Sequence, residues 1–316
     1  MISRRTLLSM LPPLAAMPLF TGWKQLTPDI THPFSADSAW NKAIDPARIV
    51  YTDPARIENR QFRDRAMANT WVQQADGLLV ITPPGAPLKL WRYHTLNDGG
   101  MFSTDGELMI PTPLTLAPPP GDSWSIFTDL DGVHFWETWA VERLPKGTFH
   151  VRYLCHVNLK GTGWGDPVTM AGVGIRAAGA SLLGGLVTPA EVAALLIEHA
   201  LPIELDKTQL KAGTVQADQF VPPAVSADGG SVSAYSGTVP MGAHFALPPA
   251  LALPTTLTPV GLALAKAYQK YGGYVVDGAG HTCSLALVTG INDAQVANFY
   301  TDVFWIRDNL VMTLPR

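Results

Sequence analysis

Short apolar runs, each stopped within a few residues by proline or glycine, fill the first half of this chain and restrict it to a β-rich fold. Residues 77–82 form one such run, closed by Pro83, Pro84 and Gly85, and residues 88–93 form another. Residues 111–121 are a proline-rich connection. Residues 124–129 and 133–142 flank a turn at Asp131-Gly132, the pattern of a hairpin. Residues 148–158 alternate polar and apolar, the period of a half-buried strand. The 28 glycines and 27 prolines exceed the usual ~12% share of those residues and follow no short repeat. Strands at this spacing, without alternating strand and helix, predict an all-β fold: one jelly-roll-type β-sandwich domain over residues 31–316.

Two short flanking helices are expected on that sandwich. Thr188, Pro189 and Glu191 supply an N-cap, a first-position proline and the reciprocal glutamate of a capping box. Thr258-Pro259 opens the second helix, whose apolar residues run through Tyr268 before Gly272 closes it. Residues 197–203 and 274–277 read as strands. Residues 209–236 are polar and rich in Gly, Ala and Ser, a long loop of the kind that often carries function.

Residues 1–30 read as an export segment and short linker. Ser3-Arg4-Arg5 followed by Leu7-Leu8 looks like a twin-arginine signal. The apolar stretch 6–20 is too short, and too broken by Pro12, Pro13 and Pro18, to be a membrane anchor. No later stretch reaches 18 apolar residues, so the mature protein is expected without a membrane span, as a monomer, in the periplasm or secreted. With 22 Lys+Arg against 26 Asp+Glu the net charge is −4, which excludes the basic footprint of a nucleic-acid-binding protein. Cys155 and Cys283 both fall in strand-like segments, and their pairing stays open. A protein folded in a reducing cytosol before export does not need the bridge. No Cys/His spacing suits a metal, and neither a dinucleotide-binding glycine pattern nor a Gly-x-Ser-x-Gly elbow occurs. No metal and no cofactor are expected.

Several motifs together resemble a family of secreted bacterial proteins of unassigned activity. The opening at 34–44, the central GASLLGGLVTPAE at 179–191 with IEHAL at 197–201, and the later VPP (221–223), SADGG (226–230), PMG (240–242) and YGGYVVD (271–277) carry the likeness. It covers residues 32 to 290. The resemblance implies a jelly-roll architecture similar to polysaccharide lyases and carbohydrate-binding domains, hence a polysaccharide or oligosaccharide partner. It carries over no catalytic residue.

The residues themselves offer the parts of a β-elimination. A lyase acting on a uronate glycan must neutralise a carboxylate, abstract a proton and protonate the leaving oxygen. Arg152 or Arg176 suits the first task, because a planar guanidinium holds a carboxylate bidentately. His156 or His199 suits the second, since imidazole titrates near neutrality. Tyr274, at the start of a buried strand, suits the third. Trp139 offers a flat stacking platform beside Glu137, and Asp277 ends a strand at a turn where an acid can face a cleft. The alternatives are a non-catalytic glycan-binding or envelope-structural protein, and a glycoside hydrolase. A hydrolase needs two carboxyl groups across the scissile bond, and the acids form no evident pair along the sequence.

Overall fold

The computed structural model describes residues 30, 32–74, 79–93, 106–114, 116, 124–144, 147–289 and 293–316. The export segment and most of the proline-rich connection lie outside the described residues. In chain order the first elements are β1 (Ile49–Tyr51), α1 (Ile57–Arg63), β2 (Asn69–Gln74), β3 (Leu79–Val80), β4 (Leu88–Tyr93), β5 (Gly106–Pro111), β6 (Ser125–Thr128), β7 (His134–Trp139), β8 (Glu142–Arg143), β9 (Phe149–Val151) and β10 (Tyr153–Asn158). There follow α2 (Pro189–Ala194), β11 (Leu201–Asp206), α3 (Ser231–Ala234), β12 (His244–Ala246), α4 (Pro259–Lys270), β13 (Gly273–Ala279), β14 (Thr282–Val288), α5 (Asp293–Asn309) and β15 (Val311–Pro315).

The fold is β-rich, with three sheets. Two are four-stranded, ordered β10-β7-β6-β3 and β5-β4-β9-β8, and the third is seven-stranded, ordered β1-β15-β12-β13-β11-β14-β2. Strand alternation explains how they layer. Phe127, Trp136 and Leu154 point one way and join Trp91, Ile110, Phe149 and Val151 of the facing small sheet in one core. Trp91 stacks on Phe149 at 4.5 Å. Ile126, Phe135, Cys155 and Val157 point the other way, into a larger core with Ile203, Leu205, Val275, Val276 and Leu285. The β6–β7–β10 sheet is therefore covered on both faces, which is why its strands are nearly continuously buried.

Residues 148–158 form two strands rather than the single strand expected. The chain bends at Arg152, so β9 lies in one small sheet and β10 in the other. The alternation restarts at that bend, as it does where strands change sheets at the corner of a sandwich. Consequently His150 and His156 belong to different sheets.

Both expected helices are present. Glu191 N donates to Thr188 Oγ1 at 3.4 Å and Thr188 N donates to Glu191 Oε2 at 2.9 Å, closing the capping box of α2. Replacing Thr188 by Ala removes one arm of that box and is expected to cost about 1 kcal/mol, read as a lowered thermal midpoint. The described residues hold five helices, not two. The 17-residue α5 was missed because polar residues interrupt its buried stripe of Phe299, Val303 and Ile306. Those polar residues have structural work. Asp302 accepts from Thr258 N at the start of α4 (2.9 Å), and Arg307 donates to the carbonyls of Phe62, Asp64 and Ala68. Cys155 and Cys283 are both buried, and no disulfide joins them. Burial pushes the Cys283 thiol up to about 11, so it stays protonated at neutral pH. Among the described residues no helix is long and apolar enough to cross a membrane.

Candidate active site

The largest concentration of interacting charge sits where β11 and β13 run parallel. The register steps from Ile203↔Val275 to Glu204↔Asp277, so β13 carries one extra residue, Val276. A one-residue shift swaps the faces of a strand. This bulge therefore sets Glu204 and Asp277 opposite each other. It also frees the Val276 carbonyl, which accepts from Ala178 N at 2.9 Å and ties in the loop that carries Arg176.

Arg176 reaches both acids with one nitrogen. Its Nη1 lies 2.5 Å from Glu204 Oε1 and 3.7 Å from Asp277 Oδ2. Its side chain is only 3% exposed, against 16% for that of Asp277, so the opening to solvent is on the Asp277 side. Asp228 arrives from the long loop after β11. The Tyr235 hydroxyl donates to Asp228 Oδ2 and fixes it. A side chain at position 278 would meet Asp228 Oδ2 at 2.7 Å, so Gly278 makes room for that carboxylate.

The electrostatics follow from burial and crowding. Desolvation raises Asp277 well above the ordinary aspartate range, Asp228 and Glu204 add to this, and Arg176 opposes it. Burial and the neighbouring Asp228 push the Tyr235 phenol up as well. One arginine, one acid it grips, one acid raised by burial and a third acid beyond make up the cluster.

Of the residues singled out from the sequence, Arg176 and Asp277 meet here, and Glu137 supports them from behind. Glu137 is fully buried on β7. It accepts from Ile175 N (2.9 Å), Ser181 Oγ (2.6 Å) and Leu182 N (2.8 Å), on both sides of Arg176. It contacts the loop, not solvent.

The others have different surroundings. Arg152 is exposed and lies over the Trp139 ring, 5.6 Å from its centroid. His156 Nε2 is 3.0 Å from Asp129 Oδ2, and its ring stacks between Trp136 and His134. His199 is buried, with Nδ1 2.9 Å from the Ala200 carbonyl and Nε2 3.0 Å from Glu191, so it links α2 to the start of β11. Tyr274 packs edge-on against the stacked pair Trp40 and Trp164 and sits 4.6 Å from His244. Burial pushes its phenol up to about 12. Burial also lowers His244 to about 4, so that imidazole is neutral at physiological pH.

Glu204, Asp228 and Tyr235 were not singled out from the sequence. A signal existed for the first: Glu204 is charged within a strand whose six residues are all buried. Asp228 and Tyr235 lie in the long polar segment whose functional character was expected, but only the fold brings them to β13. Among the described residues no group of three or more His, Cys, Asp or Glu side chains is arranged to hold a metal ion. Comparison with models of known families, with characterised proteins and with solved structures finds no match for this chain.

Proposed function

We propose that the protein is an exported, monomeric glycan-degrading enzyme that cleaves glycosidic bonds by hydrolysis, with Asp277 as general acid and Glu204, held by Arg176, as its partner. The observation that carries this reading is the sharing of Arg176 Nη1 by Glu204 and Asp277. A carboxyl raised by burial beside a second carboxyl gripped by an arginine offers the acid and its partner that glycoside hydrolysis needs. The two carboxyls are close enough to share one nitrogen, and the reading takes the retaining route. Glu204 attacks the anomeric carbon as Asp277 gives its proton to the leaving oxygen. Water, deprotonated by Asp277, then releases the sugar from Glu204.

Uronate elimination was the leading expectation from the sequence. It ranks second here because Arg152, His156, His199 and Tyr274 each face other partners. The jelly-roll reading rests on the shared core of the two small sheets, although each of them contains one parallel strand pair, β3 with β6 and β4 with β9.

Incubation with a panel of polysaccharides separates the readings. New reducing ends without absorbance from an unsaturated sugar are expected. A rise in that absorbance would establish elimination instead, and binding without product would leave a glycan-binding protein. Export is tested at the signal: with Arg4 and Arg5 both changed to Lys, the precursor is expected to accumulate in the cytoplasm, and normal export of the pair variant sinks the twin-arginine assignment.

A further inference from the structure

Glu204 and Asp277 belong to the large sheet, whereas Asp228 is delivered to them by the segment before α3. That segment is tied to both of its neighbours in the cluster. Val225 N donates to the Ala178 carbonyl at 3.0 Å and Ser226 Oγ to the Ala177 carbonyl at 2.6 Å, beside Arg176. Ala178 N donates in turn to the Val276 carbonyl, beside Asp277. Asp228 itself is held at two points by one phenol. The Tyr235 hydroxyl donates to Asp228 Oδ2 and accepts from Asp228 N at 3.4 Å. The carboxylate lies against Gly278, the residue after Asp277, where a Cβ would come within 2.7 Å of Oδ2. We infer that Asp228, held in place by Tyr235, is a positioning residue for Asp277: its carboxylate acts on the proton of that acid without touching substrate.

The role in catalysis rests on the hydrolase reading; the electrostatic coupling does not. The groups acting on Asp277 come from three segments. Burial raises its carboxyl most, and Asp228 comes next. Arg176 and the Gly278 amide, which donates to Asp277 Oδ1 at 3.0 Å, pull the other way, and Glu204 adds to the rise. Arg176 is the weaker counterweight because its Nη1 lies 2.5 Å from Glu204 and 3.7 Å from Asp277. Burial is a property of the whole fold and cannot be altered alone. Asp228 is one charge on one side chain, so it is the part of the arrangement that a substitution can remove. Burial pushes the Tyr235 phenol up, so it remains a donor and keeps its hold on Asp228. A like charge near a carboxyl disfavours its ionisation, and asparagine at 228 abolishes that effect while retaining an oxygen for the Tyr235 hydroxyl.

The test compares the full chain with its Asp228→Asn and Tyr235→Phe variants by two readouts. The first needs no substrate: carbon NMR of labelled aspartate follows the Asp277 carboxyl with pH, its signal identified by its loss in Asp277→Asn. The second is the pH profile of reducing-end release from whichever polysaccharide of the panel is cleaved. In Asp228→Asn the Asp277 midpoint is expected to fall by about one pH unit, and the alkaline limb of the rate profile to fall with it. Tyr235→Phe should move both the same way and less far, because the charge stays while its anchor goes. An unmoved midpoint in folded Asp228→Asn overturns the coupling and leaves the hydrolase reading standing. A lowered midpoint in a protein that cleaves no glycan supports the coupling and overturns the hydrolase reading. A rate lost equally at every pH, with the limb in place, makes Asp228 a substrate contact and overturns its assignment as a positioning residue. If Asp228→Asn does not fold, Tyr235→Phe decides by the same NMR midpoint, and a value equal to the parent's overturns the proposal.

Discussion

Asp277→Asn is expected to lower turnover of unactivated glycans by roughly 10²–10⁴-fold, the usual worth of a general acid, while making the protein more stable at neutral pH. The two effects share one cause. In the fold burial, with help from Asp228 and Glu204, raises the Asp277 carboxyl well above the ordinary aspartate range. At low pH both folded and unfolded chains are protonated there, and the group is neutral in the balance. As pH rises past the ordinary aspartate range, the unfolded chain ionises before the folded one, so stability falls. Asparagine has the shape of the protonated acid and nothing to ionise. The variant should therefore melt with the parent near pH 3 and above it at pH 7. Activity separates a catalytic acid from a merely buried one. A glycoside with a good aryl leaving group departs without protonation, so the variant should recover most of its rate on that substrate. A variant that loses stability at pH 7, or that loses equal rate on both substrates, contradicts the assigned role. Glu204→Gln should behave oppositely in stability, because it strips Arg176 of its buried counter-charge.

Such a site was only half legible along the chain. Local chemistry was readable: Thr188 and Thr258 do cap their helices, and the 124–142 region is the hairpin that its turn implied. Arg176 stood out because a charge among small residues has few reasons to be there. Its partners could not be read. Glu204 and Asp277 are 73 residues apart, and their pairing depends on a bulge at Val276 that no local pattern announces. The bend at Arg152 is similar. The alternation of 148–158 was real, yet each half serves a different sheet, so the polar face it implied does not exist as one surface. Likewise, the sequence leaves His199 open between a buried, hydrogen-bonded core residue and a base, and the fold holds it between Glu191 and the Ala200 carbonyl. Alternation reports which residues are buried, while the partner across the core is set by topology.

Glu137 shows how far that topology reaches, and its removal is expected to have the largest effect on stability. Three donors from the 175–182 loop converge on its carboxylate. Glu137→Leu keeps roughly the volume and leaves those donors buried without an acceptor, a cost of about 3–5 kcal/mol for a broken buried charged network. One term runs the other way. Burial raises the carboxyl from 4.5 to about 6, net of the loop's hydrogen bonds, which makes the ionised side chain a burden of about 2 kcal/mol at neutral pH. Because the folded pKa is the higher one, this burden is absent below pH 4.5 and complete above 6. The leucine variant has no such step. Its deficit against the parent should therefore be widest near pH 4 and narrower by about 2 kcal/mol at pH 7, measured by denaturant unfolding across that range. The damage should also be local before it is global. Amide exchange at Ile175, Ala178 and Leu182 should accelerate more than exchange in β6 or β9, because those amides belong to the loop that aims Arg176 at Glu204. Uniform acceleration through both cores would mean that Glu137 supports the fold as a whole and does not specifically hold the arginine in place.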